Sequence, residues 1–282
     1  MAANAKRLVA AAGLEGVVEV IQGVIESVDI PEKVDIIISE WMGYFLLRES
    51  MLDSVLVARD KFLAPGGALF PSHARMFLAP IRTNASHQRA AEYQRAMEGW
   101  GEFNEDMKQF YGVDMACLTD TFGAEQKEYY HQATSWADVH PSQMIGPPTL
   151  FQSFDLLTVT VEELKAPLRA SFSMSVLEGG PVDAFAGFFD TQFKGSPANP
   201  TDFPINLSTA PDPTGATHWG QQVFYLLPPV ECGAGDKIEG EIEVVRRLDN
   251  HRLMEVTIKH KVVGASAAAA AAVERVSKFN IE

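Results

Sequence analysis

The sequence predicts an α/β segment followed by an antiparallel β-barrel or sandwich that carries a helical insertion, and three observations support this. A continuous β-branched run, Val34 to Ile38, stands between helix-like stretches in the first 70 residues. From Phe70 and Pro71 onward the chain breaks into short apolar segments separated by Gly, Pro, Asn and Asp. A long polar-aromatic stretch interrupts those segments.

The elements follow in order. Ala3 to Ala12 reads as a helix, with Gly13 placed to end it as a left-handed cap. Val17 to Ile21 and Val34 to Ile38 read as strands. The second is continuous enough to be covered on both faces, which favours a parallel sheet. Ser39 to Ser50 is a loop, Met51 to Leu63 has apolar residues at helical spacing, and Pro65, Gly66 and Gly67 form a turn. Further strands are expected at Arg75 to Ile81, Phe151 to Thr160, Ser171 to Leu177, Ala184 to Phe193, Gln221 to Leu227, Lys237 to Arg246 and Leu253 to Lys261. Between them, Ala85 to Tyr111 and Ala124 to Val139 are helix-like and too long for a barrel connection. Their aromatics, Tyr93, Trp100, Phe103, Phe110, Tyr111, Tyr129 and Tyr130, suit either a second subunit or the insertion's own barrel. The run Ala267 to Ala272 is a solvated loop or a short helix. The expected organisation is 1–70 as one domain and 71–282 as another, with the insertion at about 84–139.

Composition narrows the functional classes. With 282 residues and 46% hydrophobic content, the chain can bury a sizeable core. No apolar run approaches the roughly 20 residues of a membrane-spanning helix, and the start lacks a secretion-signal pattern. The expectation is a soluble protein of the cytoplasm, the nucleus or both, with no membrane partner. Cys117 and Cys232 lie far apart and form no metal-ligand cluster, so no metal is expected and a reducing compartment fits. A net charge of -14 disfavours nucleic acid and draws in basic partners, although excess acid also simply keeps a protein soluble.

The densest chemical signal is Ser39-Glu40-Trp41-Met42-Gly43-Tyr44-Phe45-Leu46-Leu47-Arg48-Glu49-Ser50-Met51, directly after the Val34 to Ile38 run. In open α/β sheets, ligands bind beyond the carboxyl ends of the strands, where this loop begins. Gly43 lets the loop turn back sharply, so Glu40 and Glu49 can be brought face to face around a cation, a metal or a shared proton. A glycosidase-type acid and base pair needs two carboxylates, but nothing else in the chain favours sugars. A divalent metal wants further ligands nearby, and the loop supplies none. A guanidinium matches two carboxylates in two-point contact, with Trp41 and Tyr44 as aromatic walls. On spacing alone, two glutamates that never meet are an equal alternative.

The words around the glutamates resemble the double-glutamate loop of the protein arginine methyltransferases almost residue for residue. Thr217-His218-Trp219 resembles the family's Thr-His-Trp loop, and Pro71-Ser72-His73-Ala74-Arg75 and Tyr111-Gly112-Val113-Asp114-Met115 also fit. With Leu47-Arg48-Glu49 and His218-Trp219-Gly220-Gln221-Gln222-Val223-Phe224, the resemblance leans toward the plant subfamily-ten enzymes. It implies a partial Rossmann-like methyltransferase domain, then a β-barrel substrate domain with a helical dimerisation arm. It also implies transfer of methyl groups from S-adenosylmethionine to arginine nitrogens of protein substrates, histones or Arg/Gly-rich tails among them, with asymmetric dimethylarginine as the product, and a homodimer formed through the arm. Glu40 and Glu49 would hold the guanidinium. Ile25, Glu26, Met51 and Ser54 would contact the donor, and Trp41, Met42, Tyr44, His218 and Trp219 would shape the substrate pocket. The family's glycine-rich donor turn is not found in this chain. The expectation is therefore weak donor binding by this chain alone, with a catalytically incompetent dimerisation or interaction module as the alternative function.

Overall fold

The computed structural model describes residues 1–282 apart from Ala216. Helix α1 (Ala2–Ala11) ends as its sequence dictates: Gly13 takes φ +68, and the Leu14 N–H reaches back to the Val9 carbonyl at 3.1 Å. Val17 to Ile21, expected as a strand, has no ladder partner among the described residues, and Val17 is 81% exposed. A β-branched run becomes a strand only when a neighbour takes up its backbone hydrogen bonds.

Strand β1 (Val34–Ile38) forms, but the expectation that it is covered on both faces fails, since Ile36 and Ile38 are largely exposed. After it, α2 (Leu52–Phe62) buries Leu52, Val55, Leu56 and Phe62 at helical spacing and returns the chain to β2 (Leu63–Phe70), which pairs with β1 in parallel. Pro65, Gly66 and Gly67, expected as a turn, lie inside β2 as a bulge: Val34 opposes Leu63, yet Ile36 already opposes Ala68. Ser196 Oγ and Asn199 Nδ2 each donate to the Gly66 carbonyl at 2.8 Å, tying the bulge to the remainder of the chain.

The second part runs β3 (His73–Ile81), α3 (Ala85–Tyr111), α4 (Thr119–Lys127), β4 (Ser135–Ala137), β5 (Thr149–Asp155), α5 (Val161–Lys165), β6 (Leu168–Ser175), β7 (Gly180–Gly195), β8 (Pro200–Ser208), β9 (Gln221–Cys232), β10 (Lys237–Arg246), β11 (Met254–Val263), α6 (Ala267–Ala271) and β12 (Arg275–Ile281). Apart from β1 with β2, every strand pairing is antiparallel. One sheet has the order β4-β9-β7-β3-β5 with β8 on β7, the other β12-β11-β10-β6. Their inner faces share one core, in which Phe185, Phe224, Ile242, Ile258 and Phe279 are fully buried or nearly so. Among the described residues no strand ladder closes the barrel. At one seam Thr149 Oγ1 donates to the Ser173 carbonyl at 3.3 Å, and at the other Thr134 Oγ1 donates to the Asn280 carbonyl at 2.8 Å.

Four strands escaped the sequence reading: β2 lies where a turn was expected, and β4 falls within the expected second helix. β8 is an exposed edge strand, where its prolines remove no needed donor, and β12 follows the alanine run. The stretch from Phe151 leaves the sheet at Asp155, whose carboxylate accepts the Leu157 N–H at 2.9 Å. In the insertion, α3 spans the expected residues, whereas the expected second helix stops early. Glu128–Gln132 widens into a π turn, and Arg89 collects the carbonyls of Tyr129, Tyr130 and Ala133 at 2.9 to 3.1 Å. The alanine run forms α6, capped by Ser266 Oγ. No helix among the described residues is long and apolar enough to cross a membrane.

Candidate functional site

The loop between β1 and α2 is shaped by close backbone packing. The Gly43 N–H donates to the Leu46 carbonyl at 2.9 Å, and a Cβ at Gly43 would stand 1.8 Å from the Arg48 carbonyl oxygen, so only glycine permits this return. Phe45, Leu46, Glu49 and Ser50 all have positive φ, between 48 and 80, a conformation that disfavours L residues by roughly 1 kcal/mol each. Two anchors offset that strain. Phe45 enters the barrel core against Phe151 and Phe224, with ring centroids at 6.0 and 5.2 Å. Room for it comes from Gly187, where a Cβ would meet the Phe45 ring at 2.4 Å. On the other side, the Trp219 indole N–H donates to the Met42 carbonyl at 2.8 Å.

The two glutamates are placed differently. Glu49 Oε1 lies 3.4 Å from Arg48 Nη1, and Oε2 lies 3.3 Å from Arg252 Nη2. The Arg48 guanidinium sits over the Tyr44 ring at 5.5 Å. Glu40 is exposed and has no hydrogen bond or ion pair among the described residues, so no contact joins it to Glu49. Trp41, expected to wall the ligand, is instead 3% exposed within the core, because the apolar indole is driven inward as the loop folds back. Met42 is buried as well and meets the second motif through its carbonyl. Tyr44 is half-buried, and with Glu125, Glu128, Tyr129, Trp136 and Glu282 it lines a cavity of about 360 Å³ that contains no Lys or Arg. His218 is exposed and packs on buried Trp219, ring centroids 3.8 Å apart.

The residues expected near the donor do converge. Ser54 Oγ, in the first turn of α2, donates to Glu26 Oε1 at 2.5 Å. This bond, then the Glu26 backbone N–H and more weakly the Lys61 charge, hold the Glu26 carboxyl below its ordinary range. Lys61 also donates to the Glu26 carbonyl at 2.9 Å, fixing the turn that includes Ile25. The exposed Glu26 carboxylate keeps acceptor positions that suit an amino group. Met51, at the N-cap of α2, is 47% exposed beside it. These residues fit the adenine end and the thioether region of S-adenosylmethionine. No group of His, Cys, Asp and Glu among the described residues could hold a metal.

Sequence reasoning missed Lys61, Asp53, Arg246, His251 and Arg252. Arg246 grips Asp53 through two bonds of 2.7 Å, and Ser50 Oγ donates to the His251 carbonyl at 2.6 Å. These partners lie 193 and 201 positions apart in the chain, beyond the reach of any local pattern.

Residues 72–265 match the family model described as arginine methyltransferase oligomerization subdomain. The chain is 46% identical over 263 residues to protein arginine N-methyltransferase PRMT10 of Oryza sativa subsp. japonica, covering 93% of this chain and 69% of that protein. Its structure is similar to that of Arabidopsis thaliana protein arginine methyltransferase 10, described in a uniquely open conformation, with TM-score 0.93, 43% identity and coverage of 100% of this chain and 80% of that one. A Trypanosoma brucei PRMT1 enzyme–prozyme heterotetramer with AdoHcy is similar at TM-score 0.77 and 29% identity, covering 100% and 78%.

Proposed function

The chain belongs to the protein arginine N-methyltransferase family, and from that premise we propose that Glu49, with Glu40, receives the guanidinium of a substrate arginine in a protein tail. The family transfers methyl groups from S-adenosylmethionine to arginine nitrogens, and the chain carries its oligomerisation subdomain. When bound, the donor supplies an electrophilic methyl group on a sulfonium. Glu26, Ser54, Ile25 and Met51 hold the donor's adenosine side, and this chain's remaining contribution is to orient the nucleophile and exclude water. One carboxylate fixes the guanidinium in plane and disperses its charge as a terminal nitrogen attacks. Trp219 and Met42 hold the loop from behind, and His218 lines the entrance.

The observation that carries this reading is that Glu49 already takes a guanidinium on each oxygen, one of them lying over Tyr44. Both contacts are single and long, so the carboxylate keeps further acceptor positions for a substrate. The acidic, aromatic cavity beside Tyr44 supports basic substrates, with Arg/Gly-rich tails and histone tails as the chemical class; asymmetric dimethylarginine as the product rests on the family resemblance alone. The same reading puts forward the cytoplasm or nucleus as the compartment, and the oligomerisation subdomain supports a homodimer formed through the arm.

The test is Glu49→Gln in the native enzyme, which keeps the shape and removes the charge. Methyl transfer to an arginine-rich peptide is expected to fall roughly a hundredfold or more. Unchanged turnover rejects the clamp.

A further inference from the structure

Arg252 lies on the turn between β10 and β11, 203 positions along the chain from Glu49, and meets it twice. The Glu49 N–H donates to the Arg252 carbonyl at 2.8 Å, while Arg252 Nη2 reaches Glu49 Oε2 at 3.3 Å. The neighbouring pair repeats the backbone contact, with Ser50 Oγ on the His251 carbonyl at 2.6 Å. Glu49 and Ser50 are two of the loop's left-handed residues, at φ 80 and 57. The turn therefore holds the strained backbone and the carboxylate together. Arg48, the other cation on Glu49, belongs to the loop itself and moves with it. Among the described residues, Arg252 is the one barrel side chain bonded to the carboxylate.

As a source of stability the ion pair is weak, because the two side chains are 60% and 43% exposed and such pairs contribute little. Its effect is on orientation, to which group transfer is far more sensitive. A cation that merely occupied the carboxylate in place of substrate would need no backbone bond to the same residue. We infer that Arg252 is a positioning residue, setting the direction in which Glu49 presents its carboxylate to the substrate guanidinium. This rests on the reading of Glu49 given above.

The experiment compares Arg252→Ala, Arg252→Lys and Glu49→Gln in the native enzyme, with initial rates measured over a range of arginine-peptide concentrations. Arg252→Ala is expected to lower kcat roughly tenfold or more with peptide KM changed less than about threefold. Lys is expected to restore most of that loss, since an ammonium still reaches Oε2. Thermal unfolding is expected to stay within about 2 °C of the parent. Arg252→Met, which keeps the stem, carries the same readout if the alanine variant does not fold. Wild-type kcat in Arg252→Ala beside an inactive Glu49→Gln overturns the positioning role and leaves the clamp standing. A lowered peptide KM with kcat intact also overturns it, by making Arg252 a competitor of substrate. Full turnover in Glu49→Gln overturns the reading beneath both.

Discussion

His260, on β11, is 2% exposed, with neither ring nitrogen hydrogen-bonded among the described residues and its ring edge-on to Phe185 at 5.5 Å. Burial, reinforced by the Arg275 charge, pushes its pKa down to about 4 from the usual 6.5. The unfolded chain therefore binds the extra proton between these values. The stability contributed by the neutral ring is complete above pH 6.5 and drains away as pH falls toward 4, on the order of 3 kcal/mol in all. Urea unfolding at pH 7 and pH 5 is expected to show a smaller difference for His260→Leu than for the parent. Equal differences would dismiss His260 as the source. At this scale the sequence was informative where chemistry is local. Glu26 and Ser54 were each named as donor contacts by resemblance, and a 2.5 Å bond joins them. Trp41, read as an aromatic wall, is buried in the core, because a motif states which residue is present, not which way it faces.

Among the elements, α3 was readable to the residue, since its 27 positions contain no proline, absorb Gly99 and Gly101, and end at Gly112, which takes φ 70 and closes the helix. Its aromatics divide by packing. Trp100 stacks on Phe122 at 4.6 Å and donates to Thr119 Oγ1, and Tyr93 packs on His131, so both serve the arm internally. Phe110 and Tyr111 remain 67% and 73% exposed at the far end of the helix, and exposed aromatics of this kind are the expected contact between subunits. Replacing both by Ser is expected to weaken self-association by roughly ten- to a hundredfold per aromatic. Sedimentation velocity against protein concentration reads this out, and an unshifted profile assigns the contact elsewhere. The π turn after α4 and the bulge in β2 were illegible, because each depends on a distant partner: Arg89 for the turn, Ser196 and Asn199 for the bulge.

Across the whole molecule, α2 is joined to the end of β10 by the Asp53–Arg246 pair, whose side chains are 23% and 11% exposed. Arg59, also on α2, donates to the carbonyls of Leu156 and Val159 at 2.8 and 2.6 Å. Removing Asp53 strands a mostly buried guanidinium whose Nε already lacks a partner among the described residues. Asp53→Ala is expected to destabilise by about 2 kcal/mol in urea unfolding, and the double variant Asp53→Leu, Arg246→Met to recover most of it. No recovery would mean that the pair contributes more than its charges. By itself the sequence determined the succession of an α/β segment, a glutamate-bearing loop, an arm and a β-rich part, because hydrophobic period, glycine placement and a contiguous motif are properties of neighbouring residues. The two carboxylates by themselves asked only for a cation, and it was the resemblance of the surrounding words that implied an arginine. Only the tertiary structure decided that Trp41 turns inward, that Phe45 and Trp219 pin the loop from two sides, and that Glu49 is held by a turn 203 positions away. Those outcomes are contacts between segments brought together when the shared core forms, and no local pattern records them.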